Sequence, residues 1–222
     1  MTNTIKRGGI GLRLFQYVKT ETLNRKKRYK KTPVFRVINP HNADYVCLQY
    51  FGEELGMEEA ELRKHRCCFT GHRPDKMTLG EKDIKPLLEK AIDKAIQDGF
   101  VTFITGMAMG TDVWAAEVVL EKKKQNDEIH LICALPHPGF EKRRSETEKN
   151  RFNEIIENAD YVKLVNDHYF SGCYQVRNEW MVNHSARVIA VYDGQSGGTR
   201  NTIRYCEKVD VEVVNVLAKK EE

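Results

Sequence analysis

The sequence predicts an α/β protein with a Rossmann-like, three-layer sandwich, in which helices cover both faces of a mostly parallel sheet of about six strands. Two observations support this fold class. From residue 66 onward, short apolar runs alternate with amphipathic stretches of helical period, and this alternation is typical of parallel strands joined by crossover helices. The chain also has 222 residues, enough for one such domain to bury a sizeable core.

Six short runs are predicted strands because they are apolar and mostly rich in β-branched or aromatic residues. In chain order they lie at 66–70, 101–105, 130–135, 161–165, 186–192 and 211–216. Crossovers between parallel strands are almost always right-handed, so we expect all six strands to run the same way. Their carboxyl ends then share one edge of the sheet, which is where ligands bind in open α/β sheets.

Helices are predicted between the strands, and two of them show clear amphipathic spacing, at 84–98 and 111–124. In each, the apolar side chains recur so that the helix presents one stripe to the sheet. The predicted stripes are Leu87, Leu88, Ala91, Ala95 and Ile96 in the first helix, and Val113, Ala116, Val119 and Leu120 in the second.

Residues 1–64 do not continue this alternation and are predicted to be a basic appendage to a domain at 65–222. The first 56 residues contain eleven Lys or Arg against four Asp or Glu, which leaves residues 57–222 with a net charge of −3. The run RKKRYKK at 25–31 holds much of this excess and predicts a weak contact with nucleic acid. The appendage is expected to be disordered apart from two candidate strands at 34–38 and 45–50. A further hypothesis takes Met57 as the native start, with the preceding residues as translated upstream sequence.

The composition, with 41% hydrophobic and 31% charged residues, excludes a disordered or membrane-spanning chain. No run reaches the roughly 18 apolar residues of a transmembrane helix, and the first residues lack a secretory signal, so we expect a cytoplasmic protein with no membrane partner. Six cysteines occur without a CxxC pair, which favours buried free thiols over disulfides or zinc. We therefore expect no metal and no cofactor.

Three glycine-bearing loops follow the first, second and fifth predicted strands, where a parallel sheet places its ligand loops. Each combines glycines, which leave backbone amides exposed, with a helix start, whose dipole favours an anion. Any one of them is compatible with an ordinary turn, but three on one edge favour a shared anion site. The candidate ligand-binding residues are Thr70, Gly71, His72 and Arg73 in the first loop, Gly106, Met107, Gly110, Thr111 and Asp112 in the second, and Gly197, Gly198 and Thr199 in the third.

The glycine spacing excludes two common nucleotide sites. The second loop has GxxxG and not the GxGxxG of a dinucleotide fingerprint, and no GxxxxGK[ST] motif of a P-loop occurs. Asp112 has two possible roles. A carboxylate in the first turn of a helix can accept hydrogen bonds from the free backbone amides there, or it can take part in catalysis, and the first role, the amide-satisfying one, is favoured.

A fourth candidate element covers residues 169–181 and enters the helix before the fifth strand. Its aromatic side chains are suited to stacking on a base, while Arg177 and Asn178 are candidates for phosphate or for the polar edge of a base. Trp180 and Met181 are expected in the core. A nucleophilic role for Cys173 is not favoured, since the sequence supplies no activating geometry for it.

The motifs CCFTGHRP, TGMAMGTDVWAAE, ALPHP, GCYQVRNEWMV and VIAVYDGQSGGTRNTI, taken in this order, resemble the YpsA-like family of the SLOG superfamily, relatives of the Smf/DprA and LOG proteins. The resemblance covers 67–214 and not 1–56. It implies a Rossmann-like sheet whose glycine-rich loops bind or sense a nucleotide-derived small molecule such as ADP-ribose or an NAD derivative. Whether the protein forms a homo-oligomer stays open.

Two alternatives follow from the same resemblance. LOG-type enzymes, which cleave the N-glycosidic bond of nucleoside monophosphates, use a PGGxGTxxE loop, and the matching stretch at 193–203 keeps the glycines but has Asn-Thr-Ile where the acid would follow. Catalysis would then require Asp112 or Glu117 as a substitute, so the enzyme question stays open, with a non-catalytic role favoured. DprA-like binding of single-stranded DNA is the second alternative, and the net charge of −3 on residues 57–222 argues against it.

Overall fold

A single sheet of six parallel strands organises the part of the chain that the computed structural model describes, residues 58–218. The basic run at 25–31, the candidate strands at 34–38 and 45–50, and Met57 lie outside these residues. Within them, no helix is both long enough and apolar enough to cross a membrane.

The predicted elements are present with small changes at their ends. The strands are β1 (Arg66–Gly71), β2 (Thr102–Thr105), β3 (His130–Leu135), β4 (Tyr161–Leu164), β5 (Arg187–Val191) and β6 (Glu212–Asn215). The helices are α1 (Glu59–Lys64), which was not predicted and lies within the stretch assigned to the appendage, α2 (Glu81–Gln97), α3 (Thr111–Gln125), α4 (Glu146–Asn158), α5 (Cys173–Asn183) and α6 (Gly198–Lys208). Every strand end lies within one residue of its predicted position, so the α/β Rossmann-like fold class is confirmed.

The strand order β4-β3-β2-β1-β5-β6 places a reversal beside β1. The chain moves outward from β1 through β2 and β3 to β4, and then returns to pair β5 with the other side of β1, so that Cys67 is in register with both Phe103 and Arg187. At such a reversal, the loops that leave the two adjacent strands turn toward opposite faces of the sheet. The crevice between the carboxyl ends of β1 and β5 is therefore the position that this topology provides for a ligand.

Two hydrophobic layers enclose the sheet because successive strand residues point to opposite faces. Phe69 and Phe103 face one layer, which α2, α3 and α4 cover with side chains such as Ile92. Cys68 faces the other layer, which α5 and α6 cover with side chains such as Met181. The two faces therefore carry different helices, as the three-layer sandwich requires.

The buried stripe of α2 differs from the predicted one. Leu87 is 36% exposed, and the residues that α2 buries fully are Ile84, Leu88, Ile92 and Ala95. The predicted stripe was wrong at Leu87 because spacings of three and four residues both satisfy a helical period, and only the contact with the sheet decides which of two adjacent leucines faces inward.

The bounds of α4 were not predicted, although the sequence contains a signal for its start. Ser145 and Glu148 form a capping box, in which the Ser145 amide donates to Glu148 Oε2 at 2.9 Å and the Glu148 amide donates to Ser145 Oγ at 3.4 Å. This S-x-x-E spacing is a recognised start signal for helices. It fixes the beginning of the helix between β3 and β4.

Asp160 joins three elements at the amino-terminal end of the strands. This end is opposite the ligand edge, the edge formed by the carboxyl ends of the strands. Its carboxylate accepts the Leu131 amide at 2.8 Å, pairs with Lys123 Nζ at 2.6 Å and lies 3.5 Å from His130 Nδ1. Partial burial favours the protonated acid, but the hydrogen bonds from His130, Lys123 and Leu131 outweigh it and lower the pKa of Asp160.

We expect the Asp160 carboxylate to make stability depend on pH. A carboxyl whose pKa is lower in the folded state contributes stability that is present above its unfolded pKa of about 3.9 and is lost as the pH falls through the folded value. Asp160→Asn should lower the free energy of unfolding by roughly 1.5–3 kcal/mol at pH 7, and the difference from wild type should narrow below pH 4. Urea unfolding at several pH values measures this. A difference that does not change with pH would contradict the role assigned to the charge.

Candidate functional site

Three loops meet at the carboxyl edge of the sheet: the β1 loop (residues 72–80), the β2 loop (106–110) and the β5 loop (192–197). His72 lies between them. Its Nε2 is 3.4 Å from Asp193 Oδ1, and its ring is 5.8 Å from the ring of Tyr192, both in the β5 loop. On the other side, a Cβ atom at Gly110 would come within 3.3 Å of the His72 carbonyl oxygen. The three glycine-bearing loops are thus brought together.

Close packing requires glycine at two positions in this site. A Cβ atom at Gly71 would overlap the side chain of Thr111, and a Cβ atom at Gly106 would overlap the guanidinium of Arg177. Any larger residue would therefore separate β1 from α3, or the β2 loop from α5.

Arg177, a predicted ligand-binding residue, is buried and supports the β2 loop from within. Its Nη1 donates to the carbonyl of Gly106 and, at 3.4 Å, to the carbonyl of Ala134 in β3. The same nitrogen lies 3.8 Å from Asp112 Oδ2. Burial lowers the pKa of Arg177, and the charge of Asp112 opposes that effect. These contacts are internal to the protein, so direct contact of Arg177 with a ligand stays a prediction.

Asp112 lies in the first turn of α3, and its contacts are those of the amide-satisfying role. Its Oδ2 accepts the amide of Ala108 at 3.1 Å, and its backbone carbonyl accepts Thr105 Oγ1 at 2.8 Å. The Thr105 hydroxyl in turn accepts the Met107 amide at 3.2 Å. Burial raises the pKa of Asp112, while Arg177 and the Ala108 amide oppose the rise. The Asp112 carboxylate therefore fixes the β2 loop to the first turn of α3, the helix that contains Asp112.

Met107 is fully buried with φ 57°, a left-handed conformation that residues other than glycine rarely adopt. Arg144 Nη2 donates to the Met107 carbonyl, and the Arg144 guanidinium lies 4.8 Å from the ring centre of Phe140 and 4.7 Å from that of Phe152. Arg144 was not among the predicted residues, because nothing in the run EKRRS distinguishes it from its basic neighbours. Backbone conformations of this kind are frequent at functional sites.

Among residues 58–218, four helices at this edge have a glycine at the N-cap, which provides no side-chain cap: α2 at Gly80, α3 at Gly110, α5 at Gly172 and α6 at Gly197. The amides of a first helical turn have no partner within the helix. Together with the helix dipole, such amides attract an anion. The N-termini of α3 and α6 flank the β1 loop, which fits the predicted anion site.

Two buried polar atoms beside these helix starts, Thr111 Oγ1 and His72 Nε2, have no hydrogen-bond partner among residues 58–218. His72 Nε2 lies 3.4 Å from Asp193 Oδ1 but forms no hydrogen bond with it. An unpaired buried polar atom costs about 1–3 kcal/mol. A polar ligand between the loops would remove that cost.

The remaining predicted residues differ in how accessible they are. Arg73 is exposed and, within the described part of the chain, forms no ion pair. The position beside Gly198 is open, with nothing within 4 Å of where a Cβ would lie. Thr70 and Thr199 are buried, and Asn178 donates its side-chain amide to Thr202 Oγ1 at 3.1 Å, which joins α5 to α6.

Glu117, a candidate catalytic acid, belongs to an ion-pair cluster that joins α2, α3 and α4. Arg151 donates to it at 2.5 and 2.7 Å and Lys85 at 2.8 Å, and Arg151 also pairs with Glu81 at 2.6 Å. Partial burial favours the protonated acid, but Arg151 and Lys85 outweigh it and lower the pKa of Glu117. None of these partners belongs to the β2 or β5 loop.

The described cysteines are free and buried, as predicted: Cys67, Cys68, Cys133, Cys173 and Cys206. Burial raises the pKa of Cys68 to about 12 and that of Cys206 to about 11. Both thiols are therefore protonated at neutral pH and lack the thiolate that nucleophilic chemistry needs. No group of three or more potential metal ligands occurs among residues 58–218.

Comparison with known proteins identifies relatives of this chain. The family model YpsA, described as "YspA SLOG family", matches residues 67–212. A UPF0398 protein of Halalkalibacterium halodurans is 30% identical over 118 residues, which are 52% of this chain and 62% of that protein. The SPbeta prophage-derived protein YoqJ of Bacillus subtilis is 31% identical over 147 residues, which are 61% of this chain and 84% of YoqJ. The match thus spans less than two thirds of the first relative.

A solved structure shares the fold. The DNA processing protein A of Helicobacter pylori, whose structure is described as revealing a single-stranded DNA binding mode, aligns with a TM-score of 0.50 and 18% identity. The alignment covers 74% of this chain and 70% of that one. At this identity the likeness concerns the architecture alone.

We expect Arg177 and Asp112 to be energetically coupled. Arg177→Met leaves a buried carboxylate without its cation and should cost about 3–5 kcal/mol in unfolding free energy. In an Asp112→Asn background the same substitution should cost less, because no buried charge is left unpaired. Urea unfolding of the wild type, the two single variants and the double variant measures the coupling. Equal costs in the two backgrounds would contradict it.

Proposed function

This chain belongs to the YpsA family of SLOG proteins, and from that premise we propose that residues 65–222 bind a nucleotide or nucleotide-derived ligand between the β1, β2 and β5 loops. Family membership and the fold shared with a DNA processing protein support a nucleotide- or nucleic-acid-binding role. Within this class, the proposed ligand is an ADP-ribose-like or NAD-like molecule, and its binding has a regulatory role.

One observation carries the proposal: two buried polar atoms that form no hydrogen bond within residues 58–218, Thr111 Oγ1 and His72 Nε2, lie where the uncapped N-termini of α3 and α6 approach the β1 loop. Helix amides and a hydroxyl donate hydrogen bonds, which a phosphate accepts through several oxygens. A phosphate bound there offers hydrogen bonds to groups that form none within residues 58–218.

Arg73 and the start of α6 complete the phosphate site in this proposal. Arg73 is exposed in the β1 loop, and its guanidinium is suited to a bidentate contact with phosphate. Gly198 leaves open space at the first turn of α6, so a ligand can approach its amide closely. The buried Thr199 follows in the same turn.

Binding is favoured over N-glycosidic hydrolysis by the state of the two candidate acids. The Asp112 carboxylate accepts the Ala108 amide and lies beside Arg177. The Glu117 carboxylate accepts hydrogen bonds from Arg151 and Lys85. A glycosidic bond breaks through a cationic transition state that needs an available carboxylate. Neither acid provides one in this arrangement.

Binding of single-stranded DNA is the second candidate, and the shared fold with the DNA processing protein is its support. Residues 57–222 carry a net charge of −3, whereas proteins that follow a DNA backbone rely on an excess of Lys and Arg. A small nucleotide ligand is therefore favoured. Including oligo-dT beside AMP and ADP-ribose in the titrations below separates the two candidates.

We expect Gly198→Asp to weaken binding of AMP and ADP-ribose at least tenfold without loss of stability. The site has room for the side chain, and a carboxylate at the first turn of α6 favours the helix while it repels a phosphate. Gly198→Asn is the matched control, with nearly the same shape and no charge. Calorimetric titration should give at least a tenfold loss for the Asp variant alone, with equal melting temperatures. Unchanged affinity in Gly198→Asp would overturn the proposed phosphate position.

We expect Arg73→Ala to weaken binding of AMP by about 1.5–3 kcal/mol, the range of a hydrogen bond to a charged group. The loss should be absent for adenosine, which lacks the phosphate. Because Arg73 is exposed, its removal should leave the fold intact. Calorimetry with both ligands measures the difference, and equal losses would contradict a role in phosphate binding.

A further inference from the structure

A group of aromatic side chains lies beyond the phosphate site, at the carboxyl ends of β3 and β4. We define the aromatic cluster as His137, Phe140, Tyr169 and Tyr174. The His137 ring is 5.3 Å from Tyr169, 5.8 Å from Tyr174 and 6.2 Å from Phe140 between ring centres, and each pair meets edge to face. The cluster joins the segment after β3 to the start of α5.

Part of this cluster faces solvent. Tyr169 is 64% exposed and Tyr174 36% exposed, and the adjacent Phe170 is 37% exposed. Among residues 58–218, four of the six large exposed hydrophobic side chains lie between 169 and 176. Aromatic rings concentrated at the ligand edge of a sheet form a surface on which a planar ring can stack.

His137 adds a polar group to this apolar surface. It is 9% exposed, and its Nδ1 lies 3.0 Å from the carbonyl oxygen of Pro138. A carbonyl oxygen only accepts, so Nδ1 carries the hydrogen and Nε2 of the neutral ring is an acceptor. Nε2 is buried and has no hydrogen-bond partner among the described residues. The cluster therefore offers one unfilled acceptor to a donor on a planar ligand.

The aromatic cluster and the β1 loop lie at the same edge of the sheet. β3 is separated from β1 by one strand, so the two strand ends are about 10 Å apart. A nucleotide whose phosphate lies at the β1 loop extends its base over a distance of this order. Tyr174 also precedes Arg177 by one helical turn, and Arg177 contacts the carbonyls of Gly106 and Ala134, which connects the two ends of the site.

We infer that the aromatic cluster binds the nucleobase of the ligand. The base stacks on Tyr169 and Tyr174, and its exocyclic amine donates a hydrogen bond to His137 Nε2. Because Nε2 is covered in this structure, the Tyr169 ring, which is the nearest to His137 and the most exposed of the cluster, moves aside to uncover Nε2 and stacks on the base from its new position. This inference rests on the proposed function and names the ligand as a nucleotide with an amino-bearing base.

Calorimetric titration with AMP and ribose 5-phosphate tests the stacking. Stacking on an aromatic side chain gives about tenfold in affinity for one base, so wild type should bind AMP about tenfold more tightly than ribose 5-phosphate. Tyr169→Leu should remove that advantage and leave ribose 5-phosphate binding unchanged, and Tyr169→Phe, which keeps the ring, should retain it. Equal affinities of wild type for the two ligands would overturn the inference and leave the phosphate site intact. A wild type that binds neither would overturn the proposed function and the inference with it.

Purine riboside 5′-monophosphate, which lacks the exocyclic amine, tests the hydrogen bond. Wild type should bind AMP at least fivefold more tightly than this analogue, and His137→Phe should bind the two equally. The ligand comparison in wild type stands on its own if the variant does not fold. Equal affinity of wild type for AMP and the analogue would exclude His137 Nε2 as the acceptor for the amine.

Discussion

The buried guanidinium of Arg177 is the contact on which the geometry of the ligand edge depends. From α5, on one face of the sheet, it reaches the carbonyls of Gly106 and Ala134 and approaches Asp112 of α3, which packs on the other face. It therefore joins both helix layers to two strand ends. A buried cation is tolerated only where charge and hydrogen bonds compensate its loss of water, so its partners must stay in place.

That requirement explains the sequence around it. Gly106 leaves the space that the guanidinium occupies, and Asp112 supplies the opposite charge and also accepts the Ala108 amide. Arg144 holds the carbonyl of Met107 from a third direction, which stabilises a backbone conformation that is unfavourable by itself. The β2 loop is thus fixed from inside the protein. Its rigidity keeps the start of α3 in one position relative to the β1 loop, as a preorganised binding site requires.

The ligand edge divides into two chemically distinct parts. Near β1 and β5 lie helix starts without side-chain caps, two buried polar atoms that form no hydrogen bond in the described part of the chain, and the exposed Arg73, which together suit an anion. Near β3 and β4 lie exposed aromatic rings around one unfilled acceptor, which suit a planar base. The reversal of strand order beside β1 produces this division, because it opens the crevice at β1 and β5 while β3 and β4 continue on one side.

The sequence by itself determined the strands, the α/β class and the three glycine loops. Apolar periodicity and glycines at strand ends are local features, because they depend on residues that are close together in the chain. It also determined that the described cysteines would be buried. Only the tertiary structure decided that Leu87 faces outward, that Arg177 supports a loop from within, and that Glu117 is held by Arg151 and Lys85. The contacts of Arg177 join residues 71 and 43 positions apart in the chain. The packing of the helices on the sheet determines which of these distant residues come into contact, and no local sequence pattern predicts it.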